Sequence, residues 1–317
     1  MNDKIIVSVI ILTYNHEKYI EQAIESVLEQ DFPYSMEILI GDDCSTDKSA
    51  EIIKKYAQKD SRITAICREK NIGATSNAYD LYKKAKGKYL AFLEGDDYWC
   101  DSQKLKTQVE FLEKNSDFIA TTHENITVDK NGKEINLKES RENFSGSVYT
   151  YREYNKGIYP GHSATLVLRN FYKTPNSKYD IFVKAHSLVG DTTIFLFLVE
   201  LGRIYKFPQK CSCYRYLRDP KLDNACSLMM RHNNSLEMFE YFDKLDNYCK
   251  KYTKSEITTN FFKKVYFLKA VYTFLNNPCK RNFLILLEIF KRSDRKKEYI
   301  WYVFERGMEK IKNAINI

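Results

Sequence analysis

No long hydrophobic run occurs in the 317 residues of this sequence. The nearest candidate, FLILLEIF at Phe283 to Phe290, is short and contains Glu288, whereas a membrane-spanning helix needs about 20 apolar residues. The amino terminus leads directly into a strand-like run and shows no signal-peptide cleavage pattern. Eight cysteines are scattered, and the close pair Cys211 and Cys213 has no second pair of metal ligands. These absences predict a reduced, cytoplasmic, globular protein rather than a membrane-spanning or disulfide-stabilised one.

Charge of neither sign dominates the first two thirds of the chain. Residues 1–227 contain 32 Lys and Arg against 32 Asp and Glu, whereas residues 228–317 contain 18 against 10, which accounts for the whole net charge of +8. This change in composition predicts a domain boundary near Leu228, followed by a basic, mostly helical region at 228–317.

Apolar strands and amphipathic helices alternate along the first hundred residues. The runs of strand length are IVSVIIL (Ile6 to Leu12), EILIG (Glu37 to Gly41), ITAIC (Ile63 to Cys67) and KYLAFL (Lys88 to Leu93). The alternation predicts an α/β fold with a mostly parallel sheet and helices on both faces. Further along, we expect strands at Phe118–Thr122 and Ala164–Arg169, a hairpin turn at Asn131–Gly132 and a buried helix at Asp191–Leu201.

Carboxylates follow two of these strands. Asp42 and Asp43 come after the second strand, and LEGDD places Glu94, Asp96 and Asp97 after the fourth. Ligands of parallel sheets bind beyond the carboxyl ends of the strands, so these groups are expected to share one site. Helix capping stays open for Asp42 and Asp43, but three carboxylates within four positions repel one another unless a cation lies between them. Mg²⁺ or Mn²⁺ fits such oxygen ligands and is usually shared with a substrate phosphate.

Glycine-rich phosphate loops are absent as well. Neither GxxxxGK[ST] nor GxGxxG occurs in the sequence. A bound diphosphate would therefore be held by the metal rather than by a cradle of backbone amides.

Four motifs in order resemble the nucleotide-diphospho-sugar-binding half of family 2 glycosyltransferases, which have the GT-A (Rossmann-like) fold. They are VSVIILTYN, ILIGDDCSTDKS, NIG with Asn77 downstream, and GKYLAFLEGDDYW. A thinner resemblance continues through YPGHSATLVLRN, VGDTTIFLFL and CSCYRY to about residue 217. It implies a GT-A domain at 1–227, with a nucleotide-sugar half at 1–100 and an acceptor half at 101–227.

The resemblance also implies roles for individual residues. Tyr14 would flank the nucleotide base, Asp43 would accept a hydrogen bond from the base ring, and Asp96 would contact the ribose. The full set of implied nucleotide-sugar contacts is Thr13, Tyr14, Asn15, Asp43, Asn71 and Asp96. Asp97 would ligate the metal, Mn²⁺ or Mg²⁺, and Asp191 would act as the general base.

Three further residues are candidates for the acceptor side. Trp99 is expected either to stack on an acceptor sugar or to pack in the interior. His162 is expected either to face the acceptor or to be an ordinary hydrogen-bonded histidine. Arg215 is a candidate partner of the diphosphate at the acceptor side. His16 is interpreted as a surface residue.

Two departures from the family pattern shape the predicted reaction. Where the family often has Glu-Asp at the base position, this chain has Gly190-Asp191, so a single carboxylate acts. The QxxRW motif of processive members is missing, since the region reads QKCSCYRY, and this favours transfer of one sugar per encounter. The prediction is an inverting transferase that moves a sugar, most readily from a UDP-sugar, to a hydroxyl of a glycan or lipid-linked acceptor in bacterial surface polysaccharide synthesis.

Other interpretations stay open. The chain could be a catalytically inactive sugar-nucleotide-binding scaffold, or a Mg²⁺-dependent receiver-type signalling domain, although receivers place the acidic pair after the first strand. The basic region at 228–317 either packs or forms a homo-oligomer, or it docks on an anionic membrane at the inner face of the cell membrane through clusters such as Lys291 to Lys297. Nucleic acid is the weaker candidate, because no nucleic-acid motif accompanies the basic residues.

Overall fold

The structure, a computed structural model, describes residues 4–136, 144–217, 234–253 and 256–315, with side chains described as far as residue 307. The chain divides into two compact units, Met1–Leu228 and Met229–Ile317. The domain boundary expected at 227/228 lies outside the described residues.

The first unit consists of strands and helices that alternate along much of the chain. Its strands are β1 (Val7–Thr13), β2 (Met36–Asp42), β3 (Ile63–Cys67), β4 (Tyr89–Glu94), β5 (Tyr98–Trp99), β6 (Phe118–Val128), β7 (Val148–Tyr149), β8 (Val167–Arg169) and β9 (Arg203–Arg215). Its α-helices are α1 (Ile20–Leu28), α2 (Ser49–Lys59), α3 (Ala74–Lys84), α4 (Lys104–Lys114), α5 (Tyr151–Tyr154), α6 (Ile181–Ala185) and α7 (Asp191–Leu201). Short 3-10 helices lie at Ser163–Thr165, Phe171–Lys173 and Ser177–Asp180.

These strands form one mixed sheet in the order β3-β2-β1-β4-β8-β6-β9-β5, with β7 also paired to β9. The pairs among β1, β2, β3 and β4 are parallel, as is β6 with β9, whereas β8 and β5 pair antiparallel to their neighbours. Consecutive residues Val9, Ile10 and Ile11 of β1 are fully buried, so both faces of the sheet are covered at its centre. The predicted α/β fold is confirmed.

Most of the expected elements appear, with two corrections. The turn at Asn131–Gly132 forms, with Gly132 at φ +83°. The strand expected at Ala164–Arg169 begins only at Val167, because Ser163–Thr165 form a 3-10 turn capped by His162. The polar turn before the first helical pattern predicts Asn15 as the amino-terminal cap of that helix, but Asn15 does not cap α1. The helix begins at Ile20, and Asn15 instead has a left-handed backbone with φ 59°.

The second unit is helical, as expected. It contains α8 (Ser235–Tyr252), α9 (Asn260–Asn276), α10 (Lys280–Arg292) and α11 (Lys296–Ile315), and Pro278 lies in the break between α9 and α10. Its core is formed by Phe239, Phe267, Ala270, Ile289 and Tyr299. None of the helices in the described ranges is both long and apolar enough to cross a membrane.

Candidate active site

Three strand ends lie side by side at one edge of the sheet. Thr13, the last residue of β1, is opposite Asp42, the last of β2, and Leu12 is opposite Glu94, the last of β4. The loops that leave β1, β2 and β4 therefore start at the same level of the sheet. This is the edge at which open α/β sheets bind their ligands.

Hydrogen bonds connect the loops after β1 and β2 to each other. The backbone N–H of Asn15 donates to Ser45 Oγ at 2.9 Å, and Asn15 Oδ1 accepts from the N–H of Thr46 at 2.8 Å. Asn15 and Cys44, in the two facing loops, both have left-handed backbones, with φ values of 59° and 64°. Such conformations are uncommon outside glycine and concentrate at functional sites. The partly exposed Tyr14 thus sits in a rigid turn, and Asn15 shapes that turn.

Asp42 and Thr13 are the buried last residues of β2 and β1 at this edge of the sheet. The carboxylate of Asp42 accepts from both the backbone N–H and the hydroxyl of Ser45, a turn within the loop; because α2 begins only at Ser49, Asp42 does not cap that helix. Thr13 is buried, and its hydroxyl oxygen has no hydrogen-bond partner among the described residues.

Asp43 organises a third loop, the one that precedes α3. Its Oδ1 accepts from the N–H of Ile72 at 2.8 Å and its Oδ2 from the N–H of Gly73 at 2.9 Å. The exposed Asn71 donates its side-chain amide to the carbonyl of Asp43 at 3.1 Å. Each carboxylate oxygen of Asp43 has a further lone pair available for a ligand. Its contact with the base, and that of Asn71 with the nucleotide, stay predictions.

Two carboxylates and one imidazole, together called the acidic cluster, lie close together at the carboxyl end of β4. Glu94, Asp97 and His162 each offer a ligand atom, and these atoms lie within 4.8 Å of one another. Asp97 Oδ2 and Glu94 Oε2 are buried and have no hydrogen-bond partner within the described part of the chain. The other oxygens are used: Asp97 Oδ1 accepts from the backbone N–H of Arg215, and Glu94 Oε1 accepts from the hydroxyl of Ser163.

The electrostatics of the cluster favour a cation. Burial raises the pKa of Asp97 well above its usual value, and the neighbouring charges of Asp96 and Glu94 raise it further. Burial likewise raises the pKa of Glu94; His162 opposes this shift, and the charge of Asp191 adds to it. Two buried carboxylates with unsatisfied oxygens beside an imidazole fit a divalent metal, and the imidazole favours Mn²⁺ over Mg²⁺. The predicted metal role of Asp97 is compatible with this arrangement, and Glu94 is a ligand candidate that the motif contained but the prediction did not select.

Arg215 is buried beneath this loop, which contradicts its predicted place beside the acceptor. Its guanidinium donates to the carbonyl of Asp96 at 2.8 Å and lies between the rings of Tyr19 and Tyr98, 4.5 and 5.5 Å from their centroids. Its remaining contacts are with the carbonyls of Asp129 and Lys130 and with Gln22 Oε1. Its backbone N–H also donates to Asp97. Arg215 therefore holds the loop after β4 in place from the protein interior and does not face solvent.

Trp99 also lies in the interior, so of its two expected roles the structure fits packing rather than stacking on a sugar. The side chain is 4% exposed, its indole N–H donates to the carbonyl of Ala164 at 3.0 Å, and the amine of Lys104 covers the ring at 4.1 Å. No face is left for a sugar. Its hydrogen bond instead supports the short turn that carries His162 and Ser163.

The two histidines lie closer to the carboxylates than expected. His162 Nδ1 is 3.6 Å from Asp97 Oδ2, and its ring lies 4.3 Å from that of Tyr214, so it belongs to the acidic cluster rather than to a separate acceptor pocket. His16 Nε2 is 3.8 Å from Asp96 Oδ2. Its side chain is 13% exposed, so it is partly buried beside Asp96 rather than fully solvated.

Asp191 is exposed at the first position of α7, whose following residues are buried. Its charge contributes to the raised pKa of Glu94, so the two groups lie within electrostatic reach. An accessible carboxylate near the cluster suits a proton acceptor, and its role as general base stays a prediction.

An open α/β sheet with a carboxylate-rich site at the carboxyl ends of β1, β2 and β4 is the arrangement in which α/β enzymes bind their ligands. The chain belongs to glycosyl transferase family 2, whose sequence model matches residues 8–175. This match confirms the family resemblance and excludes the receiver-domain alternative.

Individual relatives agree with this assignment. The chain is 42% identical over 115 residues to a putative teichuronic acid biosynthesis glycosyltransferase, TuaG, of Bacillus subtilis, covering 36% of this chain and 45% of TuaG. It is 40% identical over 124 residues to the UDP-Glc:alpha-D-GlcNAc-diphosphoundecaprenol beta-1,3-glucosyltransferase WfaP of Escherichia coli, covering 39% of this chain and 48% of WfaP. The matched stretch thus spans less than half the length of these curated relatives.

Solved structures share the fold. The crystal structure of S. aureus TarS 1-349 in complex with UDP-GlcNAc superposes with a TM-score of 0.65 at 18% identity, over 95% of this chain and 82% of that one. At this identity the similarity concerns the fold alone.

Proposed function

We propose that the protein transfers a single sugar, with inversion, from a UDP-sugar to a hydroxyl of a glycan or lipid-linked acceptor in bacterial surface polysaccharide synthesis. The observation that carries the proposal is the cluster of Glu94, Asp97 and His162 at the same sheet edge as Asp43. The relatives support the donor and the acceptor class: the name of WfaP specifies a UDP-sugar, a lipid diphosphate acceptor and a β-linked product.

The residues of this chain would divide the work as follows. Asp43, Tyr14 and the turn at Asn15 hold the nucleoside, and Asp96 holds the ribose. Asp191 removes the proton from the acceptor hydroxyl, whose oxygen then forms a bond to the anomeric carbon while the bond from that carbon to the diphosphate oxygen breaks. The leaving group departs as the nucleoside diphosphate, and the proton stays on Asp191.

A divalent cation held by Asp97, Glu94 and His162 would stabilise the negative charge of the departing diphosphate. The two buried carboxylate oxygens without partners are the structural support for this assignment. Arg215 binds both Asp96 and Asp97 in the loop after β4, so it would keep Asp97 in place with or without a bound donor.

The first experiment is a thermal-shift panel of UDP, dTDP and GDP, each with and without Mn²⁺. A nucleotide at a hundred times its Kd stabilises the folded state by about 2.7 kcal/mol, so UDP with Mn²⁺ should raise the transition temperature visibly. Failure of all three nucleotides to do so in the presence of Mn²⁺ would remove the basis for the proposal.

The second experiment tests the stereochemistry. Slow hydrolysis of an α-linked UDP-sugar without acceptor should release the β-anomer first, as followed by proton NMR. Initial release of the α-anomer would contradict inversion. Nucleotide binding with neither hydrolysis nor transfer would favour the inactive scaffold.

The acceptor proposal includes a place of action. A lipid-linked acceptor is presented at a membrane surface, and we propose that the protein works peripherally at the inner face of the cell membrane, with contact made by the basic unit that follows residue 228.

A further inference from the structure

The second unit exposes large apolar side chains on the outer side of α11. Ile300, Trp301 and Phe304 are 55%, 61% and 57% exposed, while Tyr299 of the same helix is fully buried in the core of the unit. The spacing of the three residues places them on one side of the helix, within about one turn. We call this surface, defined by Ile300, Trp301 and Phe304, the α11 face. Exposed aromatic residues in such a cluster usually mark an interaction site.

Cations accompany this face. Lys297 precedes Ile300, Trp301 and Phe304 by three, four and seven residues, so it lies on the same side of the helix. Lys297 is exposed and makes no ion pair within the described part of the chain, and the exposed Lys296 contacts only the Phe290 ring, 5.6 Å from its centroid. One acidic group lies beside the face as well, since the indole N–H of Trp301 donates to the exposed Glu305 at 2.7 Å. The α11 face therefore combines aromatic side chains with two unpaired lysines and one carboxylate.

The structure shows that the predicted cluster at Lys291 to Lys297 is only partly available. Arg292 pairs with Glu240 and Glu288, at 2.9 and 2.8 Å, and Arg295 pairs with Glu298 at 3.5 Å. These two arginines are engaged within the unit. The free charge next to the apolar face is that of Lys296 and Lys297.

We propose that the α11 face binds the surface of a bilayer that contains anionic lipids. A helix with Trp and Phe on one side and lysines beside them lies in the headgroup region, where Trp favours the boundary between water and hydrocarbon. Each lysine near an anionic leaflet adds attraction, and the surplus of basic residues in 228–317 acts in the same direction.

A second copy of the chain is the less favourable occupant. A twofold-symmetric dimer through this face would bring the free lysines of both copies to the same interface. An anionic bilayer has the complementary charge. The proposed lipid-linked acceptor gives the reason why the protein would bind a membrane, and to that extent the inference rests on the proposed function. The binding itself needs no sugar nucleotide.

The test uses the full-length protein, vesicles of phosphatidylcholine alone, and vesicles that also contain phosphatidylglycerol. Sedimentation should show binding to the anionic vesicles, weakened by salt, and little binding to the neutral ones. The triple variant Ile300→Gln/Trp301→Gln/Phe304→Gln should lose at least about tenfold in partitioning, since three apolar side chains no longer insert. Lys296→Gln/Lys297→Gln should weaken binding to the vesicles that contain phosphatidylglycerol and leave the slight binding to neutral vesicles unchanged.

The chain supplies a matched control on another helix. Phe283 and Leu284 of α10 are 49% and 50% exposed, so Phe283→Gln/Leu284→Gln removes exposed apolar side chains outside the α11 face and should leave partitioning unchanged. Trp301 also gives a direct signal, because Trp99 is buried: its emission should shift to the blue with anionic vesicles. Circular dichroism of each variant checks that the helices persist.

Several outcomes would overturn the proposal. These are equal binding to both kinds of vesicle, unchanged binding of the triple variant, or loss of binding in the α10 control alone. Absence of vesicle binding together with a dimer that only the triple variant dissociates would assign the face to self-association. None of these results depends on UDP-sugar turnover, so failure here is distinguishable from failure of the proposed reaction.

Discussion

Lys104 gives the sharpest quantitative prediction, because its amine is buried without a hydrogen-bond partner among the described residues. The side chain is 1% exposed, and its Nζ lies 4.1 Å from the centroid of the Trp99 ring. Burial lowers the pKa of Lys104 from 10.5 to about 7. At 1.36 kcal/mol per pH unit, keeping this amine charged in the folded protein costs on the order of 5 kcal/mol.

The sign of the pH dependence follows from proton binding. Between pH 7 and pH 10.5 the unfolded chain holds the proton of Lys104 and the folded chain has released it, so the free energy of unfolding rises with pH, by up to about 1.4 kcal/mol per unit. Below pH 7 both states hold the proton, and the full cost applies. Lys104→Met removes this dependence, and we expect the variant to be about 1–4 kcal/mol more stable than the wild type near pH 7, with the difference shrinking towards pH 10.

The assay is urea unfolding from pH 6.5 to pH 10, followed by the fluorescence of Trp99 in a Trp301→Phe background so that the signal reports the first unit. Lys114→Met is the control, since the side chain of Lys114 on the same helix is 76% exposed. Lys104 lies under Trp99 and is not a member of the acidic cluster, so turnover should change no more than a few-fold. Equal pH slopes for wild type and Lys104→Met, or a loss of stability at every pH, would refute the reasoning and indicate an unrecognised partner of the amine.

Four further predictions concern the site. Asp97→Asn should abolish the Mn²⁺ dependence of UDP binding in isothermal titration, and removal of a repelling charge should stabilise the metal-free protein; unchanged Mn²⁺ dependence would exclude Asp97 as a ligand. Asp191→Asn should keep UDP affinity and lower turnover by about 10² or more, and a loss of only a few-fold would leave Asp191 as a residue of the helix start. Arg215→Lys should weaken Mn²⁺ binding clearly while lowering the melting temperature only slightly. The reason is that a lysine amine cannot reproduce the several hydrogen bonds that the Arg215 guanidinium donates. His162→Gln should shift metal preference from Mn²⁺ towards Mg²⁺ in activity assays, and an unchanged preference would remove His162 from the ligand set.

The edge of the sheet could be predicted from sequence because its signals are local. An apolar run such as Ile63 to Cys67 has strand length and is bounded by turn residues, and the structure has this strand with the same bounds. The position of a carboxylate just after such a run fixes which edge it occupies. Asp43 and Asp97 needed no long-range information to be placed at the same rim.

The partners of these carboxylates could not be predicted in the same way. Arg215 lies 119 residues beyond Asp96 and Ser163 lies 69 residues beyond Glu94, and nothing in either local sequence indicates the other. Trp99 left two alternatives open for a related reason. Its position two residues after Asp97 indicated a place near the site, but the carbonyl that accepts from its indole N–H belongs to Ala164, 65 residues further on, and the local sequence does not indicate this contact.

The distribution of charge around the loop connects these long-range contacts to the chemistry. Glu94, Asp96 and Asp97 contribute three negative charges, and the guanidinium of Arg215 contributes one positive charge, most of whose hydrogen bonds go to neutral acceptors. With both carboxylates of the cluster ionised, two negative charges remain uncompensated by these four side chains, and two carboxylate oxygens have no hydrogen-bond partner among the described residues. Burial raises the pKa values of Glu94 and Asp97, and the neighbouring negative charges raise them further, so without a ligand the two carboxylates hold their protons more strongly than exposed ones. One divalent cation would supply the missing charge and displace those protons, so its binding should be accompanied by proton release and should tighten as the pH rises.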